Sequence, residues 1–177
     1  MKQTDVYHIA KVIGNDQVYH HFSAKIDHEF VRESDKSDAT LFVLFSQRKH
    51  HKVGFCVLGF SPAKMKMWNQ VFREEGWVSD TYHIDEKSLE LMYIYVAPEW
   101  RQHGIGTTLF CRALKLARKK KVKNMYAYVS DRSTTVLDFY LKMNARFIAD
   151  LSDGNVSTAF IHWPITKNPG TKRLYKK

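Results

Sequence analysis

Hydrophobic positions along the chain keep two different periods, near two and near 3.6 residues, and the changes from one to the other mark out its elements. Residues Asp5 to Ile13 alternate apolar and polar side chains, which predicts a first strand. Gln17 to Arg32 instead sets Val18, Phe22, Ile26 and Phe30 four apart, with Tyr19 and Val31 widening the stripe, and predicts a helix. The polar run Glu33 to Asp38 reads as a loop. Thr40 to Ser46 and Lys52 to Phe60 are rich in Val, Phe and Leu, and the polar turn Gln47 to His51 parts them as a strand pair. Ser61-Pro62 opens the segment 61–87, where Met65, Trp68 and Phe72 fall at helical spacing with Trp77 and Tyr82 beyond. A helix packed over the sheet and a lid over a substrate suit that segment equally well.

Ser88 to Ala97 is an almost unbroken apolar run with one charge inside it, Glu90, as expected of a central strand covered on both faces. Thr107 to Lys120 is helical, with Leu109, Ala113 and Leu116 on one stripe. Asn124 to Ser130 returns to strand. Asp131-Arg132-Ser133 supplies N-cap chemistry for a helix that runs to about Met143, and Asn144 suits its left-handed stop. Ala145 to Leu151 and Val156 to Pro164 flank Ser152-Asp153-Gly154-Asn155 as a closing hairpin. The succession predicts mixed α/β architecture with a part-antiparallel sheet.

Between the central strand and its following helix lies Pro98-Glu99-Trp100-Arg101-Gln102-His103-Gly104-Ile105-Gly106. A strand aims this turn and a helix leaves it, so the amides from about Gln102 to Thr107 have no partner in the helix and face an anion at its positive end. Gly104 and Gly106 remove side chains where backbone must come close to that anion. Arg101 adds charge, and the Thr107 and Thr108 hydroxyls are further donors. A dinucleotide turn is disfavoured: only two glycines are present and no acidic residue ends the next strand, Asn124 to Ser130. A triphosphate loop is excluded by the absence of Gly-Lys-Ser/Thr.

Composition narrows the picture further. At 177 residues the chain suits one domain with a proper core. Its apolar runs are too short to span a membrane, and no signal-peptide core follows Met1, so a cytoplasmic protein is expected. The formal net charge of +10 draws anions in general, whether nucleotide cofactors, acidic proteins or RNA. Cations gather at Arg118 to Lys123 and in the tail from Lys172. Cys56 and Cys111 sit in apolar segments and read as buried reduced thiols. His20-His21 with His28, or His50-His51, lack a cysteine or carboxylate frame, so no metal is expected.

The run Val96-x-Pro98-x-x-Arg101-x-x-Gly104-x-Gly106, after an apolar strand and opening a helix, resembles the acyl-CoA signature of the GNAT acetyltransferase superfamily. Asp138-Phe139-Tyr140-Leu141-Lys142 looks like that family's later motif, and the order of elements is also the family's. The resemblance implies a single GNAT domain over 1–166 with a basic tail over 167–177. It implies a mostly antiparallel sheet of six to seven strands, about four flanking helices, and a parallel strand–helix–strand at the acyl-CoA site. It further implies acetyl-CoA as acyl donor, held by Tyr95, Val96 and Ala97, by Arg101, Gln102, His103 and Gly104, by Ile105, Gly106, Thr107 and Thr108, and by Ser133 and Tyr140. A backbone N–H near Tyr95 to Ala97 is implied to polarise the thioester carbonyl.

Amine acetylation needs a base for the ammonium proton and a donor for the departing sulfur. Tyr140 stands where the family places its tyrosine and is the candidate donor. Glu90 is the candidate base: a lone carboxylate in a buried strand is expensive without a job or a partner. It also lies eleven positions before Arg101, the spacing of the histone acetyltransferase branch. A buried salt bridge is the competing role for Glu90, and Tyr93, Tyr95 and His83 are alternative bases. Because the family's strand carries a bulge, strand parity does not choose between Glu90 and Tyr93. Two departures stand out: Ser133 replaces a frequent asparagine, and Asn144-Ala145-Arg146-Phe147 replaces a closing Gly-Phe. The expected activity is transfer of acetyl from acetyl-CoA to a primary amine, by direct attack in a ternary complex of a monomer or homodimer. The acceptor is a small molecule, a protein or an RNA-borne amine such as aminoacyl-tRNA. A non-catalytic acyl-CoA-sensing or RNA-binding module is the rival.

Overall fold

The computed structural model describes residues 3–14, 39–131, 135–152 and 157–165. Six strands form one sheet in the order β1-β2-β3-β4-β6-β5. They are β1 Thr40–Arg48, β2 His51–Phe60, β3 Leu89–Val96, β4 Asn124–Asp131, β5 Arg146–Asp150 and β6 Ser157–Pro164. All neighbours are antiparallel except β3 and β4, which run parallel. Among the described residues four helices flank the sheet: α1 Gln3–Ile13, α2 Pro62–Glu74, α3 Ile105–Lys119 and α4 Thr135–Lys142.

Alternation along the strands sorts side chains to two faces. Leu89 and Leu91 of β3, Met125, Ala127 and Val129 of β4, and Ala159, Ile161 and Trp163 of β6 bury against α3 and α4. On the other face, Ile9, Val12 and Ile13 of α1 meet Phe55 and Val57, while Met65 and Phe72 of α2 meet Tyr126 and Phe160. The first segment is therefore a helix and not the expected strand. Its buried residues Ile9, Val12 and Ile13 follow helical i, i+3, i+4 spacing, and that stripe outweighs the alternation read across the same residues. The helix expected over Gln17 to Arg32 and the turn centre at 153–155 lie outside the described residues.

Segment 61–87 packs as a layer of the fold. Ser61 caps α2, its hydroxyl accepting from Lys64 N at 3.2 Å, with Pro62 in the first turn. The Asn69 side chain donates to Ile84 O at 2.8 Å and accepts from Ile84 N at 2.7 Å, which pins the return chain to the helix. Asp85 then pairs with Lys123 at 2.8 Å, at the entrance to β4.

Close approach fixes the centre of the sheet. A Cβ on Gly54 of β2 would stand 2.8 Å from Tyr95 O and 3.2 Å from Leu109 Cδ1. Gly54→Ala is therefore expected to cost about 1–3 kcal/mol through overpacking, read as a lowered midpoint in urea unfolding with an unchanged m-value. Cys56 faces the α3 layer fully buried, and burial pushes its thiol up to about 12 despite the Arg112 guanidinium. Alkylation of native protein at pH 8 should leave Cys56 unmodified and reach it only after unfolding, as peptide mass mapping would show.

Candidate active site

The sheet is split at its centre. Strands β3 and β4 pair only at Leu89↔Met125 and Glu90↔Tyr126, at their N-terminal ends. Among the described residues, the edge of β3 facing β4 has no β partner beyond those two rungs. On the other side β3 stays bonded to β2 as far as Gly54↔Val96, with a register shift that places two β3 residues, Leu91 and Tyr93, opposite consecutive Leu58 and Val57. Met92 is the extra residue of this bulge. As a result Met92 and Tyr93 both turn towards the α1 face, while Leu91 and Ile94 face α3.

Two adjoining cavities occupy the split. One of about 540 Å³ is lined by Ile94, Tyr95, Val96, Arg101 and Gly106, with Thr135, Val136 and Phe139 from α4. The other, of about 280 Å³, shares Ile94 and Val136 with it and reaches Tyr93, Tyr128 and Tyr140. Together they run from the turn before α3 to these three tyrosines.

At the first end the chain folds as its glycines suggested. A short 3₁₀ turn, Pro98–Trp100, follows β3. Gln102 and Gly104 then adopt left-handed backbone, φ 62° and 72°, and Gly104 caps α3 with no side-chain bond. Gln102 carries this conformation without glycine's freedom. Among the described residues, none of the N–H groups from Gln102 to Thr107 donates to protein, and the first intrahelical bond is Thr108 N to Gly104 O at 3.0 Å. The Thr108 hydroxyl also donates to Gly104 O, and the His103 ring bonds Arg101 O at 2.7 Å. These two side chains thus brace the turn. Arg101 folds back, Nε donating to Val96 O at 3.1 Å with its guanidinium 5.8 Å from the Tyr95 ring centroid.

Gly106 shows what the turn leaves room for. A Cβ there would meet only Phe139 at 3.6 Å and Val96 at 3.9 Å, ordinary contacts, on the wall of the cavity. The fold accepts a methyl group at this point, and the cavity gets narrower. The unpaired amides, the open glycine wall and the adjacent arginine together suit a diphosphate with an extended arm running along the free edge of β3.

At the other end Tyr140 is 5% exposed, its ring edge-on to Trp163 at 5.4 Å and tilted against Phe139 at 5.5 Å. Burial, and to a lesser degree Cys56, pushes its phenol well above the ordinary range, so the hydroxyl keeps its proton at every physiological pH.

Glu90 stands at the vertex of the split but faces the α2 layer. Lys64 Nζ lies 2.8 Å from Glu90 Oε2, with the two side chains 6% and 9% exposed, and the Tyr126 hydroxyl donates to the same oxygen at 3.4 Å. The two candidate proton carriers therefore lie on opposite faces of the sheet, with the split between them. Tyr93 lines the cavity directly; His83 lies at the far end of β3, by Asp85 and Lys123. Ser133 is outside the described residues. Lys64 was not foreseen, although a cation in the first turn of a helix opposes the macrodipole and calls for a partner. Thr135, Val136 and Phe139 were also missed as cavity wall, because nothing in periodicity says which face of a short helix borders an opening.

The sheet thus splits between its two parallel strands, and a helix mouth with unpaired amides opens into the gap. The sequence model of the Acetyltransferase (GNAT) family matches residues 7–145, and the chain belongs to that family. Solved structures agree on the fold. The PaiA N-acetyltransferase of Thermoplasma acidophilum, crystallised with coenzyme A, is 19% identical with a TM-score of 0.57, covering 93% of this chain and 95% of that one. The ribosomal-protein-S18-alanine N-acetyltransferase of Escherichia coli is 12% identical with a TM-score of 0.57, covering 99% and 96%. A GNAT-family protein of Desulfovibrio desulfuricans is 14% identical with a TM-score of 0.60, covering 93% and 95%. No helix among the described residues is long and apolar enough to cross a membrane.

Proposed function

We propose that the protein is an N-acetyltransferase that moves acetyl from acetyl-CoA to a primary amine by direct attack in a ternary complex. The observation that carries this reading is the continuous cleft between β3 and β4, amide-rich at one end and tyrosine-walled at the other. The amides of Gln102 to Thr107 hold the diphosphate, Arg101 adds a cation beside it, and the free edge of β3 near Tyr95 to Ala97 orders the pantetheine arm. A backbone N–H on that edge polarises the thioester carbonyl, a kind of donor that contributes on the order of 3 kcal/mol.

Tyr140 serves the leaving group. A thiol is more acidic than a buried phenol, so the hydroxyl acts as a hydrogen-bond donor to sulfur as negative charge develops there. Glu90 serves the acceptor from the opposite face. A lysine-type ammonium, with a pKa of about 10.4, must shed a proton before its nitrogen attacks. Because the Glu90 carboxylate is turned to Lys64 and Tyr126, it takes that proton through water. Tyr93, on the cavity wall, is its rival. Glu90→Gln and Tyr93→Phe separate the two: the base variant loses activity most at low pH and recovers as pH rises towards the acceptor pKa, whereas the other keeps the parent profile.

The acceptor class is tested by a screen of small amines, peptides and aminoacyl-tRNA with acetyl-CoA, following release of free thiol. Release with any of them supports the enzyme reading, and acyl-CoA binding with none supports a sensing module. One feature favours an RNA-borne acceptor: residues 100–130 hold eight cations, all exposed, and no carboxylate.

Gly106→Ala separates binding from folding. Alanine in a helix is favoured over glycine by about 0.5–1 kcal/mol, so this variant should melt no lower than the parent. It should nevertheless bind coenzyme A about tenfold more weakly in calorimetry, because the methyl group enters the cavity. Unchanged affinity would place the cofactor elsewhere.

A further inference from the structure

A second cavity, of about 350 Å³, lies where α1 meets the tip of the β1–β2 hairpin, and it shares no residue with the cleft between β3 and β4. Its walls carry Lys11 and His8 from α1 and His50, His51 and Lys52 from the hairpin, completed by Tyr7 and Gln47. Among the described residues no carboxylate lines it.

The two ammonium groups are held by rings. Lys11 Nζ stands 4.8 Å over the Tyr7 ring, and Lys52 Nζ stands 4.7 Å over the Phe45 ring. Among the described residues neither lysine makes an ion pair. A ring face orients a cation without neutralising it, so both charges stay available to a ligand. His8 packs edge-on between the same two rings, 5.5 Å from Tyr7 and 5.7 Å from Phe45. The hairpin tip is fixed in turn. A register shift between Ser46 and Gln47 sets Gln47 opposite Lys52 and Arg48 opposite His51. The Gln47 side chain donates to Lys49 O at 3.0 Å, and Lys49 takes a left-handed backbone at φ 50°. Cations gathered on a braced concave wall, with no carboxylate among its described lining residues, focus field on any anion that enters. The same wall is unsuited to a metal ion, which its ammonium groups would repel.

We propose that this cavity binds a phosphate group. Two ammoniums supply positive charge and three imidazole rings supply further N–H donors, more than a single carboxylate can use, whereas a phosphate ester carries nearly two charges at neutral pH and three acceptor oxygens. The phosphate belongs either to a small phosphorylated molecule or to an RNA backbone.

The test titrates inorganic pyrophosphate, and separately a short single-stranded RNA, into protein saturated with coenzyme A so that the helix mouth is already occupied. Parent protein is compared with Lys11→Gln/Lys52→Gln and with His50→Gln/His51→Gln, and thermal melts confirm that each is folded. At least one probe is expected to bind, with about a tenfold or greater loss in the lysine double variant. Binding of pyrophosphate alone identifies a small ligand. If RNA binds, the slope of log affinity against log salt should fall in magnitude by about 1.4, two contacts at about 0.7 each. Failure of both probes to bind, or equal affinity in parent and folded double variants, overturns the proposal.

Discussion

Tyr140→Phe is expected to lower kcat by about 10²–10³-fold while leaving the affinity for coenzyme A within about threefold of the parent. The ring is retained, and with it the packing against Trp163 and Phe139, so the melting temperature should hardly move. What is lost is a single hydroxyl at the inner end of the cleft. Because burial raises its pKa, the phenol stays protonated across the working range and contributes no alkaline limb to the pH–rate profile below about pH 10. A profile that falls between pH 7 and 9 through a group lost in the phenylalanine variant would contradict this assignment. Turnover at the parental rate would remove Tyr140 from the chemistry altogether.

Lys64→Met is expected to destabilise the α2 layer strongly. Methionine fills much the same volume, but it leaves the Glu90 carboxylate buried without its ammonium partner. Breaking one side of a buried pair costs about 3–5 kcal/mol, whereas replacing both sides together is often close to neutral. For a domain of this size that loss corresponds to a Tm drop of roughly 6–20 °C. The double variant Lys64→Met/Glu90→Gln should recover most of it while staying poorly active, since the proposed base is gone. Full stability of the single variant would show that the pair at 2.8 Å contributes little. The ion pair also accounts for how a buried carboxylate persists near the start of an apolar strand: α2 brings its counter-charge to the sheet. The layer formed by segment 61–87 is thus part of the site's electrostatics as well as of the core.

These residues also show what could be read from the linear chain. The turn before α3 was legible because its conformation is local: a proline, two glycines and a following apolar stripe fix a helix mouth with free amides whatever packs around it. The hairpin β1–β2, the central strand β3 and the stop at Asn144, where φ is 63°, were legible for the same reason. Segment 5–13 was misread because alternation and helical spacing coexist there, and only contact with Phe55 and Val57 decides between them. The Lys64–Glu90 pair could not be read because it joins residues 26 positions apart on different elements. The bulge at Met92 was expected from resemblance alone. No pattern of side chains announces an extra residue in a strand, although it decides that Tyr93 turns to the same face as Met92.

The most direct test of the whole account is a calorimetric titration of coenzyme A into the parent protein and into Gly106→Ala. One site per chain is expected in the parent, with a Kd within the roughly 1 µM–1 mM range usual for enzyme substrates, and a clearly weaker site in the variant. Absence of binding in the folded parent protein would contradict it.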